Sequence, residues 1–163
     1  MMKNELIRSL LVIVFCALLC GIASAQQANI EGLNFKLGDN VDTVKTALQT
    51  NSDPEPLRYD TSIPNHPNKG KTLINLQARG IQVIFSKNGI LENIRLSPPY
   101  EGTVAGIKIG DPETTVRSVM GKPLRTPWNF GENMAFFYVL DNTAHVRFDI
   151  NGTDGVQTIW ILK

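Results

Sequence analysis

The sequence predicts an α+β fold: an internally duplicated unit of one helix plus a three-stranded antiparallel meander, the two copies forming one sheet with both helices on one face. Three observations predict it. The stretch LGDNVDTVKTAL at Leu37–Leu48 returns as IGDPETTVRSVM at Ile109–Met120, 72 residues on. Each copy is followed by three runs with the two-residue alternation of a half-buried strand. Turn signals separate those runs, Asn88-Gly89 being the strongest because Asn-Gly tolerates positive φ.

The first residues bear on the compartment. Lys3 and Arg8 supply a positive start, an apolar run of about 15 residues follows, and Ala23-Ser24-Ala25 has the A-x-A form of a cleavage site, so residues 1–25 read as a secretory signal peptide. The apolar run is short for a spanning helix, so the expected mature chain, from Gln26, has no stable membrane anchor and is periplasmic or secreted. Cys16 and Cys20 both fall inside the signal, which leaves the mature chain without a disulfide or a thiol nucleophile. Lipidation of Cys20 is the competing reading; it wants a small residue just before the cysteine, and Leu19 stands there. The 138 mature residues suffice for one compact unit. They carry 14 basic and 14 acidic side chains, without the basic excess that nucleic acid or an anionic membrane would require.

After a tail of residues 26–32, the first repeat spans 33–98. It opens with a short apolar segment, Gly38 and Asp39, an aspartate placed as N-cap of a short helix with Val44, Ala47 and Leu48 on its apolar side. Its strands are TLINLQA and GIQVIFS, joined near Arg79-Gly80, then ILENIRLS after Asn88-Gly89. A linker, 99–103, leads to the second repeat at 104–163. There Asp111 takes the N-cap place and Pro112 the first helical position, and Gly121 with Pro123 stops a helix bearing Val116, Val119 and Met120 on one side. NMAFFYVL, AHVRFDI and GVQTIWIL follow as strands, separated by Asp141-Asn142 and by Asn151 to Gly155. Val83, Phe85 and Asn88-Gly89 stand 63 residues before Val146, Phe148 and Asn151-Gly152, while Ile94 and Leu96 stand 65 before Ile159 and Ile161. Thr153 and Asp154 account for the change of offset, and the whole is read as an internal duplication.

The run Gly106-Ile107-Lys108-Ile109-Gly110-Asp111, with Val116 behind it and a short helix and meander to follow, resembles the tandem-repeat fold of the β-lactamase inhibitor proteins. Each half also resembles the small SmpA/OmlA-type lipoproteins of outer-membrane assembly, and the likeness covers most of residues 33–163. It implies an inhibitor or, alternatively, an accessory scaffold. The chain lacks the disulfides usual in those inhibitors and the lipidated cysteine of the assembly proteins, and no partner residue is carried over from either.

Catalytic signatures are missing from the sequence. Neither a G-x-S-x-G elbow nor S-x-x-K occurs. Gly70-Lys71-Thr72 ends like a phosphate loop, but Asn65 holds the place of the first glycine and prolines crowd the stretch. His66 and His145 lack zinc-ligand spacing, and Asp39, Asp42, Asp111 and Glu113 stand where helix starts place acids. Asn151-Gly152-Thr153 matches a glycosylation sequon and is read as a turn. The expectation is a non-enzymatic chain with no catalytic, cofactor-binding or metal-binding residues.

Alternation assigns Ile81, Val83, Phe85, Ile94, Leu96, Val146, Phe148, Ile159 and Ile161 to the core, and Gln82, Ile84, Asn93, Arg95, His145, Arg147, Thr158 and Trp160 to the opposite face. Trp and Arg are enriched at interface hot spots, so Trp160 beside Arg95, His145 and Arg147 suits a protein-binding surface. The bland alternative packs Trp160 against the tail near Gln26 to Ile30 or against a loop. Tyr138 or Phe137 joins the face according to register. Two loops, residues 51–71 and 121–133, add Arg58, Tyr59, Trp128 and Phe130 as further contact candidates, with Trp128 equally suited to folding back over the core. The leading expectation is a protein-binding module, an inhibitor or immunity-type protein acting on an envelope or secreted hydrolase. Next come a scaffold in outer-membrane or envelope assembly, and a small-ligand binder or hydrolase with a pocket between the two loops.

Overall fold

The computed structural model describes residues 30–163; the expected signal peptide and residues 26–29 of the tail lie outside the described residues, as does the side chain of Phe130. In chain order the elements are α1 (Val41–Leu48), β1 (Glu55–Pro56), β2 (Thr72–Leu76), a 3-10 turn (Gln77–Arg79), β3 (Ile81–Phe85) and β4 (Leu91–Leu96). Then come α2 (Glu113–Met120), β5 (Trp128–Phe130), β6 (Asn133–Val139), β7 (His145–Asn151) and β8 (Gly155–Leu162). The strands form a single antiparallel sheet in the order β1-β2-β3-β4-β8-β7-β6-β5.

The architecture is therefore mainly β, which corrects the expected α+β fold of duplicated helix-and-meander units. Each helix is eight residues long, barely two turns, and a helix of that length depends on what it packs against. The sheet, meanwhile, gains two strands, β1 and β5, from loops expected to be irregular. The class is set by one wide sheet with two short helices laid on it.

The six longer strands fall on the runs that alternation marks out, and the centre of the sheet is the β4–β8 pair. Ile94 faces Ile161 and Leu96 faces Ile159 there. All nine residues assigned to the core are buried, none more than 3% exposed. Val44 and Leu48 of α1 and Val116 of α2 share one core cluster with Val83, Phe85 and Phe148, so both helices cover the same side of the sheet. Val119 is 53% exposed and does not join them. A two-turn helix offers a narrow apolar stripe, and Val116 with half-buried Met120 fills it.

The two aspartates are not helix caps. Asp39 Oδ2 accepts from the Lys36 amide at 2.9 Å and Asp111 Oδ2 from the Lys108 amide at 3.0 Å, so each closes the turn ahead of its helix. Asn40 is the N-cap of α1, its Oδ1 accepting from the Thr43 amide at 2.9 Å, and α2 starts behind Pro112 with no side-chain cap bond. Each turn is stitched to a strand by a reciprocal pair of backbone bonds. Gly38 N–H donates to the Leu91 carbonyl and Leu91 N–H to that of Asp39; likewise Gly110 N–H donates to Val156 and Val156 N–H to Asp111. In the second pairing Gly155, at φ +73°, lies so close that an added Cβ would sit 2.4 Å from the Gly110 carbonyl oxygen.

The start of the described chain is held by Tyr100, whose hydroxyl donates to the Glu31 carbonyl, while Glu31 N–H donates to Thr103 at 2.9 Å. Burial, reinforced by the Glu31 charge, pushes the Tyr100 phenol up from 10.0 to about 12. Unfolded chains ionise this phenol first, so its stabilising contribution is whole below pH 10 and disappears as pH rises towards 12. Denaturant midpoints taken between about pH 9 and about pH 11.5 should fall more steeply for the parent than for Tyr100→Phe, which has no proton to lose. Equal slopes would refute the assignment.

Candidate protein-binding face

The side of the sheet away from the helices carries an alternating series of guanidinium groups and aromatic rings. Its register comes directly from strand pairing: Arg95 on β4 faces Trp160 on β8, which faces Arg147 on β7, which faces Phe137 on β6. Partners opposite each other in neighbouring strands project to the same side, so the four side chains form one row across the sheet. The Arg95 guanidinium lies 5.6 Å from the Trp160 ring centre, and that of Arg147 lies 5.1 Å from Trp160 and 5.9 Å from Phe137.

The row continues to the edge. Trp128 on β5 faces Ala135 and stacks on Phe137, centroids 4.8 Å apart and planes inclined by 23°. Arg125 caps the stack, 4.0 Å from the Trp128 ring and 3.9 Å from that of Phe137. Its loop is drawn along β6 by the Leu124 amide, which donates to the Phe137 carbonyl at 2.8 Å. Cation–ring contacts of this kind stabilise by about 0.5–1 kcal/mol each where exposed, enough to orient the side chains.

Beneath the row sits Asp149, only 3% exposed although it lies on this face. Its Oδ2 accepts from Arg147 Nη2 at 2.8 Å and from Trp160 Nε1 at 3.2 Å. A buried carboxylate requires such partners to offset its lost hydration. It fixes both central members of the row, since a charge-assisted bond is short and directional.

Of the expected contact residues, Arg95, Arg147, Trp160 and Trp128 thus come together, and exposed His145 lies on the same face two residues before Arg147. Phe137 joins them, whereas Tyr138 points into the core, where burial raises its phenol above the ordinary value. Trp128, at 36% exposed, stacks on the open face and does not fold back over the helix-side core. Ile30 pairs with Val104 and packs against the helix-side cluster, so this part of the tail does not cover Trp160; residues 26–29 lie outside the described residues.

Arg58 and Tyr59 stand apart. They follow β1, one edge strand, whereas Trp128 and Phe130 belong to β5, the other. At about 4.8 Å per strand spacing the two edges are on the order of 30 Å apart, so the two loops do not enclose a common pocket. Tyr59 stacks on His66 at 5.1 Å, and His66 Nδ1 accepts from the Asn68 amide at 3.1 Å, a loop-building use of both rings. Among the described residues, no three His, Cys, Asp or Glu side chains converge as a metal site would need. Asn151 Oδ1 accepts from the Thr153 and Asp154 amides, making the sequon a turn.

Sequence reasoning missed Arg125 and Asp149. For Asp149 a signal exists: Arg147 and Asp149 are two apart on a strand and therefore share a face. Arg125 gives none, because its position depends on how a loop lies along β6. No protein-family model, curated protein or solved structure matches the chain.

Proposed function

We propose that the chain is an exported, non-enzymatic protein-binding module, an inhibitor or immunity-type protein that sets the open face of its sheet against an acidic patch of an envelope or secreted hydrolase. One observation supports the reading above the rest: the row Arg95, Trp160, Arg147, Phe137, Arg125 and Trp128 lies across the sheet face that the helices leave bare. Large rings held rigidly lose little entropy on binding, and guanidinium forks between them match carboxylates and peptide carbonyls. Within the row three arginines stand with one carboxylate, that of Asp149, whose Oδ2 is taken by Arg147 and Trp160, and this excess of positive charge favours a partner of negative charge.

Affinity capture from envelope extract, with the chain and its Trp160→Ala and Arg125→Glu variants as parallel baits, tests this. A stoichiometric hydrolase should be retained by the parent and bound at least about 30-fold more weakly by Trp160→Ala, the effect of losing about 2 kcal/mol at a hot spot. Arg125→Glu alters an exposed side chain and should weaken binding without disturbing the fold. Equal retention by all three baits would refute the face as the site, and an assembly complex in place of a hydrolase would replace inhibitor by scaffold.

A further inference from the structure

We infer that the protein has a second, separate site: a lysine-lined groove of about 400 Å³ that binds a phosphoryl-bearing anion. It lies where the approach to β2 meets the β3–β4 hairpin and the end of β8. Lys69, Lys71, Lys87 and Lys163 line it with one acidic side chain, Glu92. Glu92 Oε2 is 2.8 Å from Lys71 Nζ. Among the described residues Lys69, Lys87 and Lys163 have no such ion pair.

Four ammonium groups around one groove repel one another, and a chain with balanced charge overall has no general need of them. Nor does the fold require a lysine at position 87. Phe85 pairs with Leu91 as Ile150 pairs with Val156, which sets Lys87 level with Gly152, an exposed turn residue of the second half. The lysines are set on tied backbone: Lys69 N–H donates to His66, Lys71 N–H to Asn68, Leu57 N–H to Lys71 and Lys163 N–H to Glu92, all within 3.1 Å. At Gly70 a Cβ would stand 3.3 Å from Lys87 Cβ, so the two lysine-bearing segments are in near contact.

The chemistry follows from the residue type. Lysine presents compact point charges on flexible stems, and several of them around one groove can meet the oxygens of a phosphoryl group from different directions. Of Gly70-Lys71-Thr72 only Lys71 lines the groove, and the stretch is not a phosphate loop, since it leads into β2 and not into a helix. The groove volume suits a diphosphate or a phosphorylated headgroup.

Calorimetric titration of the chain with pyrophosphate at about 0.15 M salt tests the free ligand, and flotation with phosphatidylcholine vesicles, with or without phosphatidic acid, tests a lipid-borne one. We expect saturable binding in at least one arm, weakened about tenfold or more by Lys69→Gln/Lys87→Gln, two exposed positions whose change spares the core. Trp160→Ala should leave it unchanged. Binding to pyrophosphate alone assigns a soluble phosphate, and binding only to the acidic vesicles assigns a lipid headgroup. No binding in either arm, or equal binding by the double variant, would overturn the site.

Discussion

Replacing Asp149 by alanine is expected to destabilise the protein by roughly 3 kcal/mol, because it strips a mostly buried guanidinium of its counter-charge. The Arg147 side chain is 16% exposed and that of Asp149 4%, so water compensates little of what is lost. The same change removes the acceptor of the Trp160 indole N–H, leaving that donor without its bond. Asp149→Asn keeps an acceptor but no charge and should cost clearly less. Urea denaturation of the three proteins reads the difference in midpoint. A loss below about 0.5 kcal/mol for the alanine variant would show that the carboxylate is not the anchor of the row.

Gly155→Ala should cost as much or more. The backbone there is at φ +73°, and the new Cβ would lie 2.4 Å from the Gly110 oxygen and 2.6 Å from that of Asp111. Neither carbonyl can retreat cheaply: the Asp111 oxygen accepts from the Val156 amide, and the Gly110 amide is bonded to Val156 in return. Strain of roughly 1–3 kcal/mol from positive φ adds to a comparable overpacking cost. Gly110→Ala is the natural control, because φ is +88° but nothing lies within 4 Å of the added carbon. Thermal unfolding should fall by roughly 10 °C or more for Gly155→Ala and by clearly less for Gly110→Ala. Similar losses in the two would show that steric contact contributes nothing beyond the backbone conformation.

The longer strands and their two faces are legible in the sequence because a period of two, sustained over five to eight residues, survives any detail of packing. That is why Val83, Phe148 and Ile161 are buried while Arg95 and Trp160 share the other side. The fold class is not legible in the same way. The helix signals at Val41–Leu48 and Glu113–Met120 are locally sound, yet class depends on how many strands join one sheet, and β1 and β5 are too short to show a period. Asp39 and Asp111 were one position too early to cap, and only the bonds to Lys36 and Lys108 reveal what they do. Likewise Arg125 enters the site through contacts with residues distant in sequence, which no local pattern encodes.

The brevity of the outermost strands has a consequence for behaviour in a crowded compartment. Sheets tend to lengthen sideways into filaments when another chain finds a row of free amides to copy. At one margin the ladder stops after Glu55 and Pro56, the second of which has no amide hydrogen, and at the other after three residues. Neither outermost strand is long enough to template another chain, which leaves as open ladder only the lengths of β2 and β6 that run past them, Ile74–Leu76 and Phe136–Val139, the second partly taken by the Leu124 amide.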